Sequence, residues 1–100
     1  MTEAVVIPQE VVADFCRRHH VRRLALFGSV LTDEFGPESD IDVLVEFQPG
    51  TRIGLFGFAA MEIELSEALG RKVDLNTPGF LNPRFREETV AGAKVLYEAA

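Results

Sequence analysis

Apolar and polar residues along this chain change period several times, and each change marks an element. From Pro8 to about His20 the apolar residues Val11, Val12, Phe15 and Cys16 keep the three-and-four spacing of a helix, with Pro8 suited to its first turn. Arg23-Leu-Ala-Leu-Phe-Gly28-Ser29 is a short apolar run stopped by Gly, the pattern of a buried strand. Val30 to Phe35 leaves room for one or two helical turns before the turn signal Gly36-Pro37. Ile41 to Phe47 is a strand rich in β-branched residues, closed by Gln48-Pro49-Gly50. Leu55 to Leu69 returns to helical spacing, with Phe58, Met61, Leu65 and Leu69 inward and Gly70 at the stop. Lys72 to Asn76 is a third short strand. Pro83 opens a last helix with Phe85, Thr89, Ala93 and Leu96 on one stripe.

The order α-β-α-β-α-β-α predicts an α/β domain: a small mixed sheet of about three core strands flanked by helices. At 100 residues the chain is expected to be one domain, residues 1–100, with a real core and no room for a second. The hydrophobic share of 47% fits a globular fold. No apolar run approaches the ~20 residues of a membrane span, and the first residues lack the basic start of a signal peptide. The single Cys16 has no internal disulfide partner, is expected to pack in the core, and points to a reducing cytoplasm. His19 and His20, among Arg17, Arg18, Arg22 and Arg23, read as a solvated basic helix end.

Charge changes the picture because it is local. The net charge is −6, and Thr32 to Glu46 holds six acids (Asp33, Glu34, Glu38, Asp40, Asp42, Glu46) without one Lys or Arg. The rest of the chain carries ten acids and ten bases. An acidic pI near 4.8 argues against gripping a nucleic-acid backbone. Within the acidic window, Asp40 and Asp42 point the same way from a strand, their α-carbons ~7 Å apart, while Ile41, Val43, Val45 and Phe47 point into a core. Asp is a poor strand residue. Two acids on a solvent-facing strand are one explanation; a calcium loop is not, since Ile41 and Val43 stand where small polar ligands would be needed.

Two further features favour a site. Gly28-Ser29 follows a strand and opens a short helix, where backbone N–H groups and a hydroxyl can hold phosphate oxygens. Ten residues separate Ser29 from Asp40, enough for a hairpin-like return that sets this loop beside the paired acids. Asp74 is a third acid inside an apolar strand, and neighbouring strands lie ~5 Å apart. Three carboxylates at that spacing would repel by about 3 kcal/mol per pair at an effective dielectric of 20. Bound Mg²⁺ with substrate phosphates would remove the repulsion, the two-metal arrangement of phosphoryl or nucleotidyl transfer.

Phe27-Gly28-Ser29, ten residues, then Asp40-Ile41-Asp42-Val-Leu-Val resembles the signature of the DNA polymerase β-like nucleotidyltransferase superfamily. With Leu69-Gly-Arg-Lys-Val-Asp74-Leu75, the short chain is similar to its smallest members, the minimal nucleotidyltransferases (MNT proteins). The specific match runs from about Leu24 to Thr77, and the terminal helices agree only in placement. The resemblance implies a palm-like nucleotidyltransferase fold, with Gly28 and Ser29 on the β- and γ-phosphates of ATP. Asp40 and Asp42 would bridge two Mg²⁺ ions, and Asp74 would bind the catalytic metal and help deprotonate the attacking hydroxyl. It further implies a prokaryotic antitoxin that places AMP on a hydroxyl side chain, often Tyr, of a helical HEPN toxin. Masking of the toxin by binding alone is the alternative, and transfer to a small molecule, which relatives perform with a further domain, is a third. Many family members carry an Arg between the Gly-Ser and the paired acids; here that stretch holds no base. Lys72, Arg84 and Arg86 are the candidates to replace it.

Overall fold

The computed structural model describes residues 7–32, 35–36, 38–81 and 83–99. Helix α1 spans Gln9–Arg18, with Pro8 in extended backbone at its N-cap. It buries Val12, Phe15 and Cys16, whereas Val11 stays 40% exposed. Strand β1, Val21–Phe27, starts two residues earlier than its apolar run suggests. It feeds a single 3₁₀ turn, Gly28–Leu31; the helical turns expected from Val30 to Phe35 fall partly outside the described residues. Strand β2 is Ile41–Phe47. Helix α2, Leu55–Leu69, is stopped by Gly70, whose left-handed φ of 69° turns the following Arg71 N–H onto the Ser66 carbonyl at 3.2 Å. Strand β3 is Val73–Asn76, and helix α3 covers Pro83–Gly92.

One element departs from expectation. The last helix ends at Gly92, and Lys94–Glu98 is a fourth strand, β4, so Leu96 lies on a strand and not on a helical stripe. Val95-Leu96-Tyr97 is β-prone, and Gly92 weakens helix propagation just before it. The decisive factor is remote. The second edge of β1 would otherwise expose unpaired backbone groups, and β4 pairs with it antiparallel from Arg23↔Glu98 to Leu26↔Lys94. The sheet order is β3-β2-β1-β4, with β1/β2 antiparallel and β2/β3 parallel.

Alternation along β2 gives the sheet two faces with different tasks. Ile41, Val43 and Val45 join Leu24, Leu26, Val73 and Leu75 under Val12, Phe15 and Cys16 of α1 and Met61 and Leu65 of α2. Phe58 and Leu69 pack at its margin as partly buried residues. Desolvation there pushes the Cys16 thiol up to about 12, which suits packing and leaves it inert. The opposite face carries Asp42, Leu44 and Glu46, set against Phe27, Ala25 and Arg23 of β1. Glu46 pairs with Arg22 at 2.7 Å and Arg23 at 3.9 Å.

The basic end of α1 is tied down and not merely solvated. Arg18 bridges Asp14 at 2.8 Å and also bonds Glu64 on α2, whose other oxygen meets His19 at 2.9 Å. These contacts hold Glu64 below the usual carboxylate range, Arg18 being the main cause. Asp33, Glu34 and the side chain of Phe85 lie outside the described residues.

Candidate active site

Antiparallel pairing places the C-terminal end of β1 beside the N-terminal end of β2, with Phe27 opposite Asp42. Gly28 follows Phe27 and turns away at φ 76°, a left-handed conformation. A Cβ built on Gly28 would lie 2.3 Å from Asp42 Oδ2. The glycine therefore serves both the turn and the close approach, and the carboxylate occupies the space a side chain would need.

Parallel pairing brings the third acid in from the other side. Asp42 and Asp74 are register partners across β2 and β3, on the face away from the main core. Asp42 is held above the ordinary carboxylate range, first by burial, then by the charges of Asp74 and Asp40 and by a hydrogen bond with Asp74. Asp40 stands one residue before β2, and its carboxylate turns toward Lys72, with Nζ–Oδ2 at 3.8 Å. Among the described residues no three carboxylate, His or Cys groups converge on a single point. Asp42 and Asp74 meet, while Asp40 adjoins them and pairs with a lysine.

Hard oxygen donors on two adjacent parallel strands, one disfavoured in its charged form, suit a hard divalent cation such as Mg²⁺. Of the candidate bases, Lys72 reaches the acids. Arg86 donates to the Leu81 carbonyl at 3.4 Å, and Arg84 is exposed on α3.

Residues that the motif reading passed over hold the acids in place. The N–H groups of Val73 and Leu75, flanking Asp74 on the outer edge of β3, donate to Ser66 Oγ at 2.9 Å and Glu62 Oε2 at 2.8 Å. Ser66 in turn donates to the Glu62 carbonyl at 2.7 Å. One turn of α2 thus stands in for a fifth strand and satisfies edge donors that would otherwise lack partners. The (i, i+4) spacing of Glu62 and Ser66, one helix face against alternate strand residues, was the available signal.

Arg71 is the second omission. One of its terminal nitrogens donates to the carbonyls of Gly36 and Ser39, both at 2.7 Å, with the guanidinium 4.5 Å from the centre of the buried Phe35 ring. The base absent from the acidic window arrives from beyond it, and it binds backbone.

The nucleotidyltransferase domain family model matches residues 9–96. The chain belongs to this family. Two proteins of Methanocaldococcus jannaschii, both provisionally named protein adenylyltransferases, are similar to it. One is 37% identical over 70 residues, spanning 70% of this chain and 73% of the relative. The other is 38% identical over 71 residues, spanning 70% of each. A solved structure described provisionally as a minimal nucleotidyltransferase is 36% identical, with a TM-score of 0.70 and 85% of each chain covered. A toxin–antitoxin crystal structure with AMP-PNP shares the fold at 20% identity, with a TM-score of 0.74 over 93% of this chain and 75% of that one. The mixed sheet and its flanking helices are thus those of a nucleotidyltransferase, as the motif implied. No helix among the described residues is long and apolar enough to cross a membrane.

Proposed function

We propose that this nucleotidyltransferase is a Mg²⁺-dependent protein adenylyltransferase antitoxin that moves AMP from ATP to a hydroxyl side chain, a Tyr, of a cognate HEPN toxin. The observation that carries the reading is the in-register pair Asp42/Asp74 with Gly28 closed against Asp42. The adenylyltransferase names of the M. jannaschii relatives support the reaction. The partner is supported by a fold neighbour described as an MNT antitoxin with a tri-AMPylated HEPN toxin from Shewanella oneidensis. A reducing cytoplasm suits the buried, unbridged Cys16.

Two Mg²⁺ ions held by Asp40, Asp42 and Asp74 would supply charge neutralisation at the reacting phosphate. Gly28 and Ser29 orient the β- and γ-phosphates through backbone N–H groups and the Ser29 hydroxyl. Asp74, exposed at the sheet edge, takes the proton of the attacking hydroxyl. The new O–P bond forms at the α-phosphorus as the α–β bridge breaks and pyrophosphate leaves. Most of the chain's contribution is placement of these groups.

The test incubates the purified chain with α-labelled ATP, Mg²⁺ and the partner that co-purifies with it from its host. Label on the partner, a mass increase of whole AMP units, and loss of both in Asp42→Asn are expected. Absence of label under any metal or nucleotide would sink the proposal.

Neutralisation by binding alone is the second reading, favoured by the Lys72–Asp40 pair, which places a cation on one of the acids without any metal. An Asp40→Ala/Asp42→Ala chain that still protects fully against the toxin would establish it.

A further inference from the structure

Asp40 lies outside the regular hydrogen bonding of β2, yet the backbone on both sides of it is held by two consecutive residues. Arg71 holds the Ser39 carbonyl, and the Lys72 carbonyl accepts the Ile41 N–H at 2.9 Å. Before Asp40, Gly36 and Ser39 are tied to each other by Ser39 N–H to the Gly36 carbonyl at 3.1 Å and Gly36 N–H to Ser39 Oγ at 3.0 Å. Arg71 clamps these two residues through their carbonyls and lies over the Phe35 ring. The clamp has a firm base, because the Arg71 N–H bonds the Ser66 carbonyl at the end of α2. Asp74 follows Arg71 by only three residues, so one short segment both carries Asp74 and holds the backbone around Asp40.

We propose that Arg71 is a positioning residue of the active site: its guanidinium locks the backbone at Gly36 and Ser39 so that Asp40 is presented beside Asp42 and Asp74. A lysine keeps the charge and has protons for both carbonyls, but it lacks the planar guanidinium that lies over Phe35 while one of its nitrogens reaches them, so it cannot reproduce the clamp. The role is geometric, separate from phosphate binding, and the inference rests on the proposed reading of the three acids as a divalent-cation site.

The experiment compares wild type, Arg71→Lys, Arg71→Gln and Asp42→Asn as full chains. Three quantities are measured: melting temperature, amide hydrogen exchange, and Mn²⁺ affinity by electron paramagnetic resonance with ATP present. In Arg71→Lys, exchange at Ser39 and Ile41 should rise at least tenfold over Leu44 and Val45, and Mn²⁺ affinity should fall by about tenfold to a hundredfold. Arg71→Gln, shorter, uncharged and without the guanidinium over Phe35, should show the same pattern and covers the case in which the lysine variant does not fold. Raised exchange with wild-type Mn²⁺ affinity would make Arg71 merely structural and overturn the proposal, as would unchanged exchange. Equal failure of wild type and Asp42→Asn to bind Mn²⁺ would overturn the metal reading itself, and this inference with it.

Discussion

Gly28 and Asp42 occupy one another's space: the Cβ that Gly28 lacks would stand 2.3 Å from Asp42 Oδ2. Alanine at 28 meets two penalties together, a left-handed φ worth roughly 1–2 kcal/mol and displacement of an acid of the site. Gly28→Ala should therefore lower the melting temperature by several degrees in a thermal scan. Initial-rate assays should show nucleotidyl transfer falling about a hundredfold, the penalty of roughly 1 Å of misplacement. Wild-type turnover in this variant would remove Gly28 from the site.

Asp42 links the site to stability. Its folded pKa is raised, so the folded chain binds more protons than the unfolded one between the ordinary Asp value of 3.8 and the raised value. Stability from this group is present at low pH and is lost as pH rises through the folded pKa. Asp42→Asn removes that loss. In metal-free buffer the variant should match wild type near pH 4 and exceed it at neutral pH, where burial and the neighbouring Asp74 and Asp40 charges disfavour the ionised carboxylate. Denaturant titrations across pH measure this, and saturating Mg²⁺ should reverse the order.

Lys72 competes for Asp40. With its side chain 77% exposed, the pair is worth at most ~1 kcal/mol. Lys72→Met should leave the melting temperature within about a degree and raise Mn²⁺ affinity by up to about fivefold, the equivalent of that ceiling. Calorimetric titration of Mn²⁺ decides it; a weaker affinity would show that the lysine assists the site.

Glu62 guards the strand that carries Asp74. Glu62→Ala leaves the Leu75 N–H without its partner, at a cost of about 1–3 kcal/mol. Glu62→Gln keeps a carbonyl acceptor and should retain most of the stability. A urea series on both variants tests this, with Leu75 amide exchange faster in the alanine variant alone.

Much of this was legible from residue order because it rests on local rules. Alternation placed Ile41 to Phe47 as a strand and put Asp42 on the face opposite Ile41 and Val43. Helical spacing with Gly70 bounded α2 at Leu55 and Leu69. The Gly28-Ser29 to Asp40 interval marked a return of the chain, and the structure makes it the β1/β2 pairing.

What lay beyond reach depended on groups distant in sequence. Lys94 to Glu98 is a strand because the outer edge of β1, some seventy residues earlier, offers hydrogen bonds that outweigh continuation of a short helix. The partnership of Asp42 with Asp74 is a parallel register, set by α2 carrying the chain back and by Glu62 and Ser66 fixing the edge. Arg71 was invisible for the same reason, since backbone carbonyls leave no mark in a sequence and any residues could have supplied them. By itself the sequence determined which residues could do chemistry, through residue type and local period. Only the tertiary structure decided which of them meet, because hydrogen bonds across strands are indifferent to distance along the chain.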